Sequence, residues 1–153
     1  MNALVTFNLE ALFLALPLDR VVRAVRAVAS TPLPQAPDIV CGVVNVQGRI
    51  VPVINLRRRF GLVEREMALG DQLLIARGAT RLLAMIVDSV AGVIDCDERD
   101  FVAVDRVVAG TRHLTGIVKT PDGMVLIHDL DSFLSLEEER ALDAALAPAA
   151  AAG

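Results

Sequence analysis

The chain has no tryptophan and no tyrosine, and its 153 residues include only five phenylalanines, two cysteines and one lysine, Lys119. Each shortage excludes something. With so few aromatic side chains there is little on which single-stranded bases could stack. Fifteen basic against nineteen acidic side chains leave a formal charge of −4, without the basic excess of a general nucleic-acid binder. Two cysteines are too few for a disulfide framework, and Cys41 and Cys96 lack metal-ligand spacing. Both sit in apolar stretches and read as small core hydrophobes. A membrane-spanning helix needs ~20 apolar residues, whereas the run from Ala11 to Leu18 is eight residues long and contains Pro17. Ala27-Val28-Ala29 has the look of a leader cleavage site, but no Lys or Arg precedes Arg20 and Glu10 interrupts the apolar stretch. A secretory signal is therefore not expected, and the expectation is a cytoplasmic protein without membrane insertion.

Catalytic constellations are missing too. There is no Gly-x-Ser-x-Gly elbow, phosphate-binding glycine loop or dinucleotide fingerprint. His128-Asp129-Leu130-Asp131 has no third ligand at metal spacing, and an Asp between a strand and a helix is better read as a cap. Cys41 has no base beside it in sequence, and apolar surroundings raise a thiol's pKa. No enzyme, cofactor or metal is expected.

Strand-forming apolar residues are what the chain has in quantity. It is 54% hydrophobic before its ten glycines are counted, against ~45–50% for an average domain with glycine included. Its 21 Val and 8 Ile favour pleated, half-buried strands. Strands are predicted at Leu4–Leu9, Leu12–Leu16, Gln72–Arg77, Leu82–Val87, Val90–Asp95 and Phe101–Val104. Two hairpins join Gly42–Val46 to Ile50–Ile54 and Leu114–Lys119 to Met124–Ile127, the second through Thr120-Pro121-Asp122-Gly123. Pro52 lacks an amide hydrogen, which suggests an edge strand. Val21 to Val28 fits either helical or alternating spacing. Pro32, Pro34 and Pro37 mark a connector. One helix is predicted over Asp129–Leu146, with Ser135 and Glu138 as a capping box.

Residues 42–56 (GVVNVQGRIVPVINL) align without a gap on 116–130 (GIVKTPDGMVLIHDL), and 15–25 on 84–94, at nearly the same offset. This suggests an internal duplication. Arg57-Arg58-Arg59 is the densest positive feature, either a contact patch for an acidic partner or a solvated face after a strand.

Ala15-Leu16-Pro17-Leu18-Asp19-Arg20-Val21, the run from Gly42 to Arg57, Ile86-Val87-Asp88-Ser89-Val90-Ala91-Gly92-Val93 and Leu114-Thr115-Gly116 together resemble the CheW adaptor family of bacterial chemosensory systems. The resemblance extends from about residue 4 to residue 136. It implies a mainly β fold of two interlocked five-stranded SH3-like β-barrels with a C-terminal α-helix, and it makes Val22 to Val28 a strand. It further implies one domain over 1–146, with sub-barrels of roughly 15–70 and 71–128 plus the N-terminal strand; the alanine-rich tail 147–153 reads from its composition as a frayed end. Such proteins are not enzymes. They couple chemoreceptor cytoplasmic tips to the regulatory domain of a CheA-type histidine kinase, and other CheW-like domains are further candidate partners. Carried over by motif, the partner-facing residues are Val21, Arg23, Asn45, Gln47, Gly48, Ile50 and Arg57. Two positions depart from the family pattern: Gln47 stands where Asn-Leu-Arg-Gly has its Arg, and Arg23 where a Glu is frequent. A receptor-side adaptor without kinase binding is the alternative reading.

Overall fold

A computed structural model describes residues 2–103, 113–121 and 123–152. Eleven strands run in chain order: β1 Asn2–Leu9, β2 Leu12–Pro17, β3 Val21–Arg26, β4 Val40–Val46, β5 Arg49–Ile54, β6 Gln72–Arg77, β7 Leu82–Val87, β8 Ser89–Cys96, β9 Phe101–Ala103, β10 Leu114–Thr120 and β11 Gly123–His128. A one-turn helix α1 covers Leu56–Arg59 and a long helix α2 covers Leu136–Ala152. The ambiguous stretch after Val21 is a strand, as the resemblance implies. Val104 and Asp122, from the predicted β9 and the second hairpin turn, lie outside the described residues.

The strands form two sheets, one six-stranded in the order β8-β1-β2-β11-β10-β9 and one five-stranded in the order β3-β6-β7-β5-β4. Residues 72–87 thus belong with β3–β5, whereas a sub-barrel boundary near 70 would separate them. The two orders correspond under the suspected duplication, with β1 matching β6, β2 matching β7, β3 matching β8, and β4-β5 matching β10-β11. Even single pairs agree. The parallel pair Val53↔Ala84 has its counterpart in Ile127↔Ala15. Irregularities fall at Val40/Gly42 and at Leu114/Gly116. Each sheet therefore takes its first two matching strands from the opposite half of the chain. No ladder closes either sheet into a barrel among the described residues. In the five-stranded sheet only the bridge Thr31↔Val43 returns the continuation of β3 to β4.

Period-two alternation explains the cores. Leu73, Ile75, Ala84, Val51 and Val53 gather on one face of the five-stranded sheet. Leu4, Ala15, Val118, Val125 and Ile127 do the same in the six-stranded one. The intervening residues, among them Phe7, Leu14, Leu16, Leu74, Leu83 and Met85, meet in a larger core shared by both sheets. Strands β1, β2, β6 and β7 are thus buried on both faces, and they read as continuous apolar runs.

Three expectations change. Cys96 is buried but Cys41 is exposed, because on β4 it alternates with the inward-facing Val40 and Gly42. β5 is internal, yet Pro52 fits. Val43, its partner in register, exchanges both backbone hydrogen bonds with Thr31 at 2.8 Å. Pro52 therefore has no donor duty toward β4, and pairing with β7 begins only at Val53. The predicted helix breaks into a 3₁₀ turn over Leu130–Ser132, capped by the Asp129 carboxylate on the Asp131 amide at 3.2 Å, and α2. Ser135 and Glu138 form the capping box reciprocally at 3.1 and 2.8 Å, restarting the chain as helix. The backbone then stays helical through Ala152, where composition suggests a frayed end.

Candidate functional site

The β4–β5 hairpin turns tightly because Gln47 and Gly48 both adopt positive φ, +50° and +84°, the left-handed geometry that matches strand twist. The Asn45 side-chain oxygen Oδ1 accepts from the Gly48 amide at 2.8 Å and holds the turn. Asn45 lies opposite Ile50, so both side chains share a face, and Ile50 is 52% exposed. β3 supplies the other half of the site. With its amide oxygen turned toward Arg23, the orientation that satisfies both groups, Gln47 accepts from the two terminal guanidinium nitrogens at 2.9 and 3.0 Å.

The two departures from the family pattern thus form one contact, a guanidinium held by a neutral amide. On the same strand β3 and the β4–β5 hairpin, Val22, Val25 and Ile50 are exposed apolar side chains, and Arg26 and Arg49 are exposed as well. Among the described residues β3 pairs only with β6 along its length, which leaves the other edge open to a partner.

Arg23, Asn45, Gln47, Gly48 and Ile50 are brought together. Val21 is half-buried against the shared core, so it supports β3 more than it faces outward. Arg57 requires a correction. It is 8% exposed, ion-paired to Glu10 and Asp88, and therefore not part of a partner-facing surface. The other two arginines of the triplet are also engaged, Arg58 with Glu64 at 2.9 Å and Arg59 with Glu138 at 2.6 Å. Arg57 and Arg59 are thus largely buried clamps, and Arg58 is an exposed surface pair.

Sequence reading missed the network around Arg57. Asp88 accepts from Arg57 and, at 2.8 Å, from Arg65, and its other oxygen accepts from the Glu10 amide at 2.8 Å. Arg65 also grips Asp71 through two bonds at 2.8 and 2.9 Å. That hydrogen-bonded guanidinium holds the Asp71 carboxyl below its ordinary range. No local motif announces these partners, which lie far apart in sequence.

The six-stranded sheet repeats the exposed edge with different chemistry. Met124, which aligns with Ile50, is 62% exposed, and Val93 on β8 and Phe101 and Val102 on β9 are exposed as well. Here the repeat alignment carried the signal. A groove of about 1010 Å³ opens next to this edge, lined by Leu18, Arg20, Cys96, Glu98, Phe101 and Ile127 among others. Among the described residues neither edge holds a nucleophile–base pair. Among the described residues no cluster of three His, Cys, Asp or Glu could hold a metal ion. His128 is buried, and desolvation pushes its pKa down to about 4. Cys41 is likewise no activated nucleophile, since partial desolvation pushes its thiol up. No helix among the described residues is long and apolar enough to cross a membrane.

Known proteins share this fold. The model of the CheW-like domain matches residues 3–138. The chain is 29% identical over 141 residues to the chemotaxis protein CheW of Treponema pallidum, covering 88% of this chain and 83% of that one. It is 26% identical to CheW of Rhizobium meliloti, covering 78% and 79%, and 25% identical to protein FrzA of Myxococcus xanthus, covering 88% and 84%. The crystal structure of the scaffolding protein TtCheW from Thermoanaerobacter tengcongensis superposes with a TM-score of 0.81 at 30% identity, covering 90% of this chain and 94% of that one. Duplicated sheets, an exposed hairpin edge and a match across nearly the whole chain lead to one conclusion: the protein belongs to the CheW-like domain family, as a non-catalytic scaffold of chemotaxis signalling.

Proposed function

We propose that this protein couples chemoreceptor cytoplasmic tips to the regulatory domain of a CheA-type histidine kinase, in the cytoplasm and through protein contacts alone. One observation carries the reading: the fold offers two distinct exposed edges, one per sheet, each pairing apolar side chains with charge. An adaptor must hold two partners at once, and a duplicated fold supplies two surfaces of similar shape. The Arg23–Gln47 contact, the hairpin of Asn45 and Gly48, and Ile50 form the first. The second is the Met124–Phe101 edge with its groove. We read the two sheets as the open form of the paired barrels that the family resemblance implies.

The test is calorimetric titration of the protein with the kinase regulatory domain and with a receptor cytoplasmic fragment, both from its own organism. Micromolar binding to both supports coupling. Binding to the receptor fragment alone supports the second reading, a receptor-side adaptor that has lost the kinase; the altered Arg23 and Gln47 favour that outcome. Binding to neither overturns both readings.

A further inference from the structure

Arginines in this molecule are otherwise well neutralised. Seven of the described ones each hold a carboxylate, from Arg20 on Asp131 to Arg99 on Asp97. Arg23, Arg26 and Arg49 hold none among the described residues, and all three are exposed on β3 or the β4–β5 turn. Arg77 and Arg140, the others without an ion pair, stand on β6 and α2. The hydrogen-bond partner of Arg23 is the neutral Gln47, which orients the guanidinium and leaves its charge uncancelled. The matching edge of the other sheet has Gly92 in place of Arg23, and Asp95, Asp97, Glu98 and Asp100 follow it. Two edges of one inherited shape thus carry opposite charge.

We infer that the β3 edge recognises a protein partner bearing a carboxylate beside an apolar side chain, with Arg23 as the specificity-determining residue, Arg49 and Arg26 as supporting charge, and Ile50, Val22 and Val25 as the apolar seat. The inference rests on the coupling reading and deepens it by naming what the partner must present. Charge complementarity selects this occupant. A basic or neutral partner would leave three cations facing desolvation without an anion, and opposed like charges exclude a wrong partner. Gln47 holds the guanidinium end-on through its two terminal nitrogens, and the side-on edge, Nε with an outward terminal N–H, suits bidentate contact with a carboxylate.

The experiment extends the titrations above to Arg23→Gln, Arg23→Glu, Arg49→Gln and the double variant Arg23→Glu/Gln47→Arg, at low and high salt. Arg140→Gln serves as the control. Because Arg23 is exposed, all variants should melt within about 2 °C of the parent. For one of the two partners, Arg23→Gln should weaken binding about three- to tenfold and flatten its salt dependence, and Arg23→Glu should weaken it more than about tenfold. Arg140→Gln should leave it unchanged. Parent-like or tighter binding by Arg23→Glu or the double variant overturns the inference while leaving the coupling reading intact. A parent that binds neither partner overturns both. Salt-sensitive self-association in sedimentation, lost in Arg23→Glu, would make the occupant a second copy and overturn the inference in that way.

Discussion

His128 has its imidazole among Phe60 and Phe133, with ring centroids 4.8 and 6.1 Å away, and it is 5% exposed. Burial holds its pKa near 4, while an unfolded histidine titrates near ~6.5. The unfolded chain therefore binds the proton more readily. Stability contributed by the neutral ring is full above about pH 6.5 and is lost as the pH falls toward 4. Between pH 7 and 4.5 this amounts to about 2–3 kcal/mol, and urea unfolding of His128→Leu should show that much less acid sensitivity than the parent. Arg57 makes a second residue-scale prediction. Its guanidinium is buried, but Glu10 and Asp88 are 46% and 29% exposed, so removing Arg57 strands no deeply buried anion. Arg57→Ala should cost about 2–3 kcal/mol through lost packing and pairing and, in a folded sample, leave partner affinity unchanged. Reduced affinity without reduced stability would return Arg57 to the partner surface.

At the scale of elements, Gly42 and Gly116 do the same job in the two sheets. Each opens the irregular end of a strand over which another chain segment passes closely. A Cβ on Gly42 would collide with the Thr31 carbonyl oxygen, and one on Gly116 with the Phe101 ring, 2.9 Å from the Val102 carbonyl oxygen. Backbone cannot step aside, whereas the partly exposed Phe101 ring can swing out. Both Ala variants should lower the melting midpoint, Gly42→Ala by more, at roughly 2–4 kcal/mol; the reverse order would show that the Thr31 bridge is dispensable. Helix α2 begins where it does because of its capping box. Ser135→Ala should cost about 1 kcal/mol, read as a lower melting midpoint.

Across the whole molecule, each sheet is completed by strands from the other half of the chain. β1 and β2 sit between β8 and β11, and β6 and β7 between β3 and β5. Neither half holds a finished sheet. Fragments 1–70 and 71–153 should each be unstructured by circular dichroism when alone, and should regain β signal on mixing if the shared core can assemble in trans. A cooperatively folded single fragment would show that its sheet stands without the exchanged strands. The exchange also bears on the proposed function, because a shared core joins the two exposed edges and offers a direct mechanical path between them.

Much of this was legible in one dimension because its causes are local. Short apolar runs bounded by turns located β1, β2, β6 and β7 within about two residues, turn chemistry located the hairpins, and the capping box marked the restart of the chain as α2. The alignment of 42–56 on 116–130 reported a duplication because matching backbone requirements, a close approach at Gly42 and Gly116 above all, leave matching residues. Tertiary structure decided what depends on partners distant in the chain. It exchanged strands between sheets, which no local pattern encodes. It buried Arg57 by bringing Glu10 and Asp88 around it, and it exposed Cys41 by setting the register of β4. It also joined Arg23 to Gln47. As separate letters those two residues are departures from a family pattern; in the fold they are one contact, since charge and geometry act through space and not along the sequence.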